Sequence, residues 1–387
     1  MSKVFSMRMV NGSFSLGLAL ACVLPIALSL GACGTEPEQP KPKPKPTLVT
    51  PPPYGMPYDK LSEWHLFQDP LAQLPAERVI PYEVISPLFS DYTTKFRFLW
   101  LPDGTQIGYS DDKVWDFPVG TVLAKTFSYA ADLRDPASKL RLLETRILWR
   151  QPDGWSVHAY VWNAEQTEAV SEVASDTIPS DFIDVSGSPI HNDYYVPNTN
   201  ECKQCHTNSD VLGPNGPRAR QMDRDHDYGT KGGGVANQID HLQSLGLFAS
   251  EPTPKASRTS LTDPFGTAPL GERVRSYLDA NCSSCHAKGG SASQSSLLLD
   301  YPETDPATNT EANWGICKTP TSQGGATCNN MFDIVPGQPD KSILLCRVTS
   351  TEAKFRMPPL GVQLTHTEGV ELLRTWVQAM PPGICSN

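Results

Sequence analysis

The chain has 387 residues and a net charge of −10, from 32 Lys and Arg against 42 Asp and Glu. This acidic balance argues against a nucleic-acid partner, because binding to phosphate backbones depends on clustered Lys and Arg side chains. The length and a hydrophobic fraction of 39% are sufficient for two folded domains.

Residues 1–32 have the order of a lipoprotein signal peptide. Two basic residues precede an apolar run from Phe14 to Leu30, and the small residues that follow end in a lipobox at Cys33. We expect Cys33 to be lipidated and to anchor the protein to a membrane on the periplasmic side of a bacterial envelope. Gly34 follows, which by resemblance to bacterial lipoproteins implies the outer membrane.

Residues 33–57 are dominated by Lys-Pro repeats and a Pro51-Pro-Pro53 run. Such a sequence holds extended polyproline geometry and cannot pack a core. It predicts a tether between the lipid anchor and the folded body.

Residues 58–260 are predicted to form a β-rich module, an antiparallel sandwich or barrel. Four apolar and aromatic runs, several with period-two alternation, are separated by Pro- and Gly-containing turn signals. The predicted strands are Lys95–Leu101, Thr121–Phe127, Arg141–Trp149 and Trp155–Trp162.

The pattern C-x-x-C-H occurs twice, as Cys202-Lys-Gln-Cys205-His206 and as Cys282-Ser-Ser-Cys285-His286. It is the attachment signature of c-type haem: two thiols one helical turn apart can add to the vinyl groups of one porphyrin, and the adjoining histidine reaches the iron. A zinc ribbon would need its two pairs some 15 to 20 residues apart, and a redox dithiol would need a βαβ context. The sequence therefore predicts two haem c groups, with His206 and His286 as proximal ligands.

Residues 261–387 are predicted to form a mostly α-helical cytochrome c domain, so the fold class is α+β. The chain before it is loop-rich, with a short helix predicted over Asn237–Leu245 and a boundary near residue 260. One helix, from Leu270, would deliver Cys282. A second would begin at a capping box, Thr365-x-x-Glu368, and end before Pro381.

The distal iron ligands are less clearly marked than the proximal ones. Met357 stands in a Met-Pro-Pro loop, and a thioether is a soft ligand for haem iron, although a Met can also fill a gap in a core. We expect Met357 to be the distal ligand of haem 2. For haem 1, His191, Met222 and His226 are candidates by sequence proximity, none of them in a recognisable ligand loop.

Four further cysteines remain after those assigned to the signal, the lipid and the haems. An even number in an exported protein indicates two disulfides, for which three pairings are possible. The short loop between the first two favours one pair, with the other pinning the C-terminal tail. These favoured pairs are Cys317 with Cys328 and Cys346 with Cys385.

Two resemblances follow from these motifs. The second haem motif, the segment Asp333–Leu345 and Met357-Pro-Pro resemble the cytochrome c domains of bacterial dihaem cytochromes, and the wider chain is similar to exported dihaem proteins that join a β-rich module to such a domain. This implies electron transfer but no substrate. Gly120-x-x-x-x-Lys125 resembles mono-haem β-sheet cytochromes in which a lysine is cross-linked to the porphyrin; a strand lysine pointing to solvent is the alternative.

The sequence thus favours an electron carrier over a catalyst. It predicts a dihaem c-type cytochrome lipoprotein that exchanges single electrons with a redox protein partner in the periplasm. One alternative is a haem-dependent oxidoreductase in which haem 1 is an open catalytic site and haem 2 relays electrons. Another is that the β-rich module serves as a docking domain.

Overall fold

The computed structural model describes residues 48–135, 138–321, 327–383 and 385. They belong to one compact unit, Lys45–Asn387. The predicted signal peptide, the lipidation site Cys33 and most of the tether lie outside the described residues. Among those that are described, no helix has the length and apolar character needed to cross a membrane.

Strands and short helices alternate irregularly along the chain. The strands are β1 (Phe67–Asp69), β2 (Leu74–Pro75), β3 (Ile80–Pro81), β4 (Thr94–Trp100), β5 (Val122–Ala130), β6 (Leu140–Gln151), β7 (Gly154–Trp162), β8 (Ala169–Glu172), β9 (Asp176–Ile183), β10 (Pro189–Val196), β11 (Thr207–Asn208), β12 (Val211–Leu212), β13 (Asp225–Asp227) and β14 (Val235–Asn237). The α-helices are α1 (Thr199–His206), α2 (Ala219–Met222), α3 (Gln238–Ser244), α4 (Leu270–Asn281), α5 (Ile343–Thr349) and α6 (Thr367–Ala379). Single 3₁₀ turns are Leu61–Trp64, Thr230–Gly232, Lys255–Ser257, Ser293–Ser295, Glu311–Trp314, Thr327–Asn329 and Pro339–Lys341.

The centre of the fold is an antiparallel sheet of six strands in the order β3-β4-β5-β6-β7-β8. The sheet is open, because its outer strands β3 and β8 are not neighbours within the described part of the chain. The antiparallel architecture and the α+β class are therefore confirmed, and the described strands form no closed barrel. Strands β9 and β10 form a separate hairpin that packs on one face of the sheet.

The two faces of the sheet bury different parts of the chain. One face, which includes Trp100 and Trp149, packs against the N-terminal segment around Trp64. The opposite face carries Leu99, Leu123 and Leu148 toward α1, α2 and α3 at one end of the sheet, and Phe127 toward the β9–β10 hairpin at the other. Period-two alternation along β4, β5 and β6 separates these two sets.

The four predicted strands are confirmed as β4 to β7, each within three residues of its predicted ends. The short helix predicted over Asn237–Leu245 is α3, which Asn237 caps by accepting hydrogen bonds from the amides of Ile239 and Asp240. Helix α4 leads into Cys282 as predicted. Alternation and turn residues are local signals, so they found these elements without knowledge of the tertiary contacts.

Helices α4 and α6 pack against each other in one apolar cluster, through Val274 and Leu278 on α4 and Leu373 and Val377 on α6. The capping box predicted for α6 is wrong. The helix begins after His366, without a side-chain cap. The Glu368 carboxylate instead accepts a hydrogen bond from the Tyr92 hydroxyl at 2.9 Å.

The four remaining cysteines form two disulfides, but the favoured pairing is wrong. The bonds join Cys317 to Cys385 and Cys328 to Cys346. The amide of Cys317 donates to the Ile334 carbonyl, whereas the 3₁₀ turn that carries Cys328 lies against α5, the helix of Cys346. Cys317 and Cys328 therefore lie beside different parts of the fold, and Cys385 near the C-terminus is bonded to Cys317.

Contacts cross the boundary predicted near residue 260 at several buried points. Arg220 and Asp279 form a bidentate ion pair at 3.0 and 3.1 Å, and both side chains are less than 5% exposed. The Ser86 hydroxyl donates to the Ser276 carbonyl at 2.9 Å. The β-rich part and the helical C-terminal part therefore share one interface, and the cavity described next lies along it.

Candidate haem-binding cavity

Helix α1 presents the first C-x-x-C-H motif. The Asn198 side chain accepts hydrogen bonds from the amides of Asn200 and Glu201, and the Glu201 carboxylate accepts from the Asn198 amide at 2.9 Å. This capping box starts a helix of only eight residues, which ends at His206. Asn198-x-x-Glu201 is a signal in the sequence that our prediction of the elements missed.

The second motif follows α4 directly. Cys282 is the C-terminal cap of the helix, with its amide donating to the Leu278 carbonyl, and the His286 amide donates to the Cys282 carbonyl at 2.9 Å. The motif therefore forms a hydrogen-bonded turn at the C-terminal end of α4. Cys282 itself packs at the edge of the α4–α6 cluster.

The two motif histidines are oriented in the same way. The Nδ1–H of His206 donates to the Gly213 carbonyl at 3.1 Å, and that of His286 donates to the Leu297 carbonyl at 3.2 Å. Within the described residues, Nε2 of neither ring has a hydrogen-bond partner. A backbone acceptor at one ring nitrogen is the arrangement that fixes the tautomer of a metal-bound histidine and leaves the other nitrogen for the metal.

Burial keeps both imidazoles neutral at physiological pH. It lowers the pKa of His206 to about 4 and also lowers the pKa of His286. The positive charges of Arg146 and Lys125 act on His206 in the same direction. Neutral imidazole is the form that coordinates a metal.

Both motifs border one cavity of about 700 Å³ between the sheet and the helical C-terminal part. Ligand pockets commonly span about 300–1,000 Å³. The motifs are also in contact: the Cys285 thiol donates to the Gln204 carbonyl at 3.8 Å, and the Ser209 amide donates to the Gly289 carbonyl at 2.9 Å. Segments 81 residues apart in sequence, at Gln204 and Cys285, thus meet at one wall.

Met357 borders the same cavity, as the haem 2 prediction requires. Its side chain is half-buried and belongs to none of the apolar clusters of the described residues, which argues against the alternative of a core methionine. Its amide donates to the Arg347 carbonyl at 2.9 Å. The Arg356 guanidinium next to it donates to the Gln363 side chain at 2.8 Å.

The loop that carries Met357 is tied to the sheet side of the molecule by Asp91. This carboxylate, 1% exposed, accepts hydrogen bonds from the amides of Gln363 and Leu364, both at 2.8 Å, and from the Asn192 side chain at 3.2 Å. Burial raises the pKa of Asp91 in spite of these bonds. Asp91 therefore positions a loop that follows it by more than 260 residues.

The three distal candidates for haem 1 lie away from the cavity wall. His191 is exposed on β10 and pairs with Asp181 at 2.8 Å. Met222 is 1% exposed in the apolar cluster beneath the sheet. His226 lies on β13, beside Glu83. None of the three faces His206.

Lys125 does face the cavity. It lies on β5 with its Nζ 4.6 Å from the centre of the Phe127 ring, and the cavity wall includes Lys125 together with His206. Burial, and then Arg97 and other neighbouring cations, hold its pKa well below the ordinary value. The alternative of a strand lysine pointing to bulk solvent is therefore wrong, while the cross-link implied by resemblance stays a prediction.

The cavity is bordered by two pairs of thiols and by two imidazoles whose pKa burial lowers. No three His, Cys, Asp or Glu side chains converge as metal ligands in the part of the chain that the structure describes. Haem requires only one or two protein ligands for its iron, together with thiols and an enclosing cavity. No family model, curated protein or solved structure matches this chain.

Proposed function

We propose that the chain is a dihaem c-type cytochrome that carries single electrons between redox proteins in the periplasm, held to the membrane by a lipid at Cys33. The observation that carries this proposal is that both C-x-x-C-H motifs border one cavity. In each motif, a histidine directs Nδ1 to a backbone carbonyl. Two independent zinc knuckles would not need this shared enclosure.

Each motif has a distinct set of roles. Cys202 and Cys205 would hold haem 1, and the Gly213 carbonyl would keep His206 oriented toward its iron. The haem supplies reversible one-electron chemistry at iron, and the protein sets its potential through axial ligands and burial. Because the two motifs are in contact, the two haems would be attached close to each other, and a short distance between them favours electron transfer.

The C-terminal part would provide the second site. Cys282 and Cys285 would hold haem 2, with His286 proximal and Met357 distal. Helices α4 and α6 packed in one cluster support a small cytochrome c domain, because they leave Cys282 at the edge of that cluster. A thioether ligand would raise the potential of haem 2 above that of a site without it.

Haem counting in paired variants tests the proposal. The protein made in a cytochrome c maturation strain should contain two haems per chain by pyridine haemochrome absorbance. A Cys202→Ser, Cys205→Ser double variant and a Cys282→Ser, Cys285→Ser double variant should each contain one. A haem content that does not depend on either motif contradicts the proposal.

An oxidoreductase with haem 1 as an open catalytic site is the second candidate. Two observations support this candidate. The three distal ligands predicted from the sequence lie away from His206, and cationic side chains border the cavity that His206 also borders. Electron paramagnetic resonance of the oxidised protein separates the two candidates. Two low-spin, six-coordinate haems support the carrier, and one high-spin haem that binds cyanide supports the enzyme.

A further inference from the structure

Three cationic side chains form a row across the central sheet. In the strand register, Arg97 on β4 lies opposite Lys125 on β5, and Lys125 lies opposite Arg146 on β6. Directly opposed residues of neighbouring strands point to the same face. All three side chains border the cavity that the two C-x-x-C-H motifs share.

Among the described residues, only the Arg146 end of this row has a counter-ion. The Arg146 guanidinium donates to both oxygens of Glu144, at 2.8 and 2.5 Å. Glu144 is fully buried and also accepts a hydrogen bond from the Tyr194 hydroxyl at 2.7 Å. This carboxylate is therefore fully committed to Arg146 and Tyr194.

Arg97 and Lys125 have no carboxylate partner within the described residues. The nearby negative group that acts on Arg97, Glu83, forms its ion pair with Arg224 at 2.8 Å instead. Burial and the nearby charge of Arg97 lower the pKa of Lys95 to about 7. Uncompensated charges in a partly buried site are costly, so an anion held between these side chains would be stabilised.

We infer that Arg97 and Lys125 form a binding site for one carboxylate or small oxyanion at the His206 end of the cavity. Lys125 and Arg97 border the same cavity as His206 and the two cysteines of its motif. The anion has two possible sources: a propionate of the haem attached at Cys202 and Cys205, or a diffusible oxyanion. The inference rests on the proposed function if the anion is a haem propionate, but not if it is a diffusible oxyanion.

The test compares charge-removing variants with matched controls in the holoprotein. Arg97→Gln and Lys125→Met remove one cation each, Lys125→Arg keeps the charge, and Lys113→Met removes an exposed lysine that does not border the cavity. Sulfate is the probe. It is titrated at constant ionic strength while the thermal unfolding midpoint and the reduction potential of each haem are recorded.

A diffusible anion predicts that sulfate raises the unfolding midpoint of the parent, Lys125→Arg and Lys113→Met proteins. In Arg97→Gln and Lys125→Met the apparent affinity should fall about tenfold or more, as expected for loss of a hydrogen bond to a charged group. A bound propionate predicts no sulfate effect in the parent. In that case both charge-removing variants lower the potential of one haem and move its pH dependence upward, because the propionate loses its cation.

Two results together overturn the inference. Sulfate changes the unfolding midpoint of all five proteins equally, or of none of them. In addition, the haem reduction potentials and their pH dependence are the same in the charge-removing variants as in Lys113→Met. Haem content, measured first, keeps the two proposals distinguishable. A protein without haem would contradict the proposed function, and the sulfate titration of its unfolding midpoint would still decide whether Arg97 and Lys125 bind an anion.

Discussion

Asp91→Ala should loosen the Met357 loop without disturbing the haem motifs themselves. The substitution removes the acceptor for the amides of Gln363 and Leu364, which donate to Asp91 at 2.8 Å. Each unpaired donor costs about 1–3 kcal/mol when it is buried. Both donor residues are only half-buried, so water can reach part of the site and the lower end of that range applies.

The expected total is about 2 kcal/mol for two donors, which corresponds to a roughly 30-fold increase in the opening equilibrium of the loop. Asp91→Asn is the matched control, because it keeps one acceptor oxygen. Burial raises the pKa of Asp91, so the negative charge is penalised in the folded state, and loss of the charge alone should cost less than loss of the acceptor oxygens. The acceptor geometry, and not the charge, should therefore hold the loop.

Hydrogen–deuterium exchange of the holoprotein measures this directly. The peptide covering residues 356–366 should exchange roughly 30 times faster in Asp91→Ala than in the parent, and only a few times faster in Asp91→Asn. The α4 peptide should exchange at the parent rate in both variants. Equal acceleration in the Ala and Asn variants, or no change in the loop peptide, would refute the role given to Asp91.

Three further predictions concern single sites. Met357→Ala should lower the reduction potential of haem 2 and abolish the optical band of Met–iron bonding. Met331→Ala, at an exposed position, should change neither, and an unchanged band in Met357→Ala would mean that the distal ligand lies elsewhere. Arg220→Met should cost about 3–5 kcal/mol of unfolding free energy in urea titrations, and adding Asp279→Leu should recover most of it, since the cost comes from a buried unpaired charge. Burial lowers the pKa of His366 from 6.5 to about 4, so the unfolded state takes up a proton at higher pH than the folded state does. The free energy of unfolding should therefore fall by about 3 kcal/mol between pH 6.5 and 4. His366→Gln should remove that part of the acid sensitivity, and an unchanged pH profile in this variant would contradict the prediction.

The central strands could be predicted from the sequence because their signals are local. Strands β4 to β7 show period-two alternation and are separated by turn residues, so each segment can be recognised as a strand from its own residues. Helix α4 carries its apolar face directly into Cys282 for the same reason. The capping box of α6 failed because a distant residue, Tyr92, binds the carboxylate of Glu368.

The cavity could not be predicted, because it depends on contacts between remote segments. No local sequence pattern near Cys205 or Cys285 indicates that the two motifs are in contact. The disulfide pairing failed in the same way, since Cys317 and Cys385 are 68 residues apart. Loop length favours short-range pairs only where the backbone can bring them together.

The cationic row was also invisible in the sequence. Arg97, Lys125 and Arg146 each stand in a different strand, and a shift of one residue in the register of any strand would turn its cation to the other face. The register is set by the buried side chains of the sheet. Only the paired strands therefore show that Arg97 and Lys125 lie on the same face as Arg146, whose carboxylate partner in the described part of the chain is Glu144.

Mass spectrometry of peptides from the holoprotein tests the central claim most directly. After digestion, the peptide that contains Cys202 and Cys205 and the peptide that contains Cys282 and Cys285 should each carry the added mass of one haem. All four of these cysteines are free of disulfides in the structure and border the shared cavity. Unmodified thiols, zinc, or a disulfide at either motif in protein made with a working cytochrome c maturation system would contradict the dihaem account.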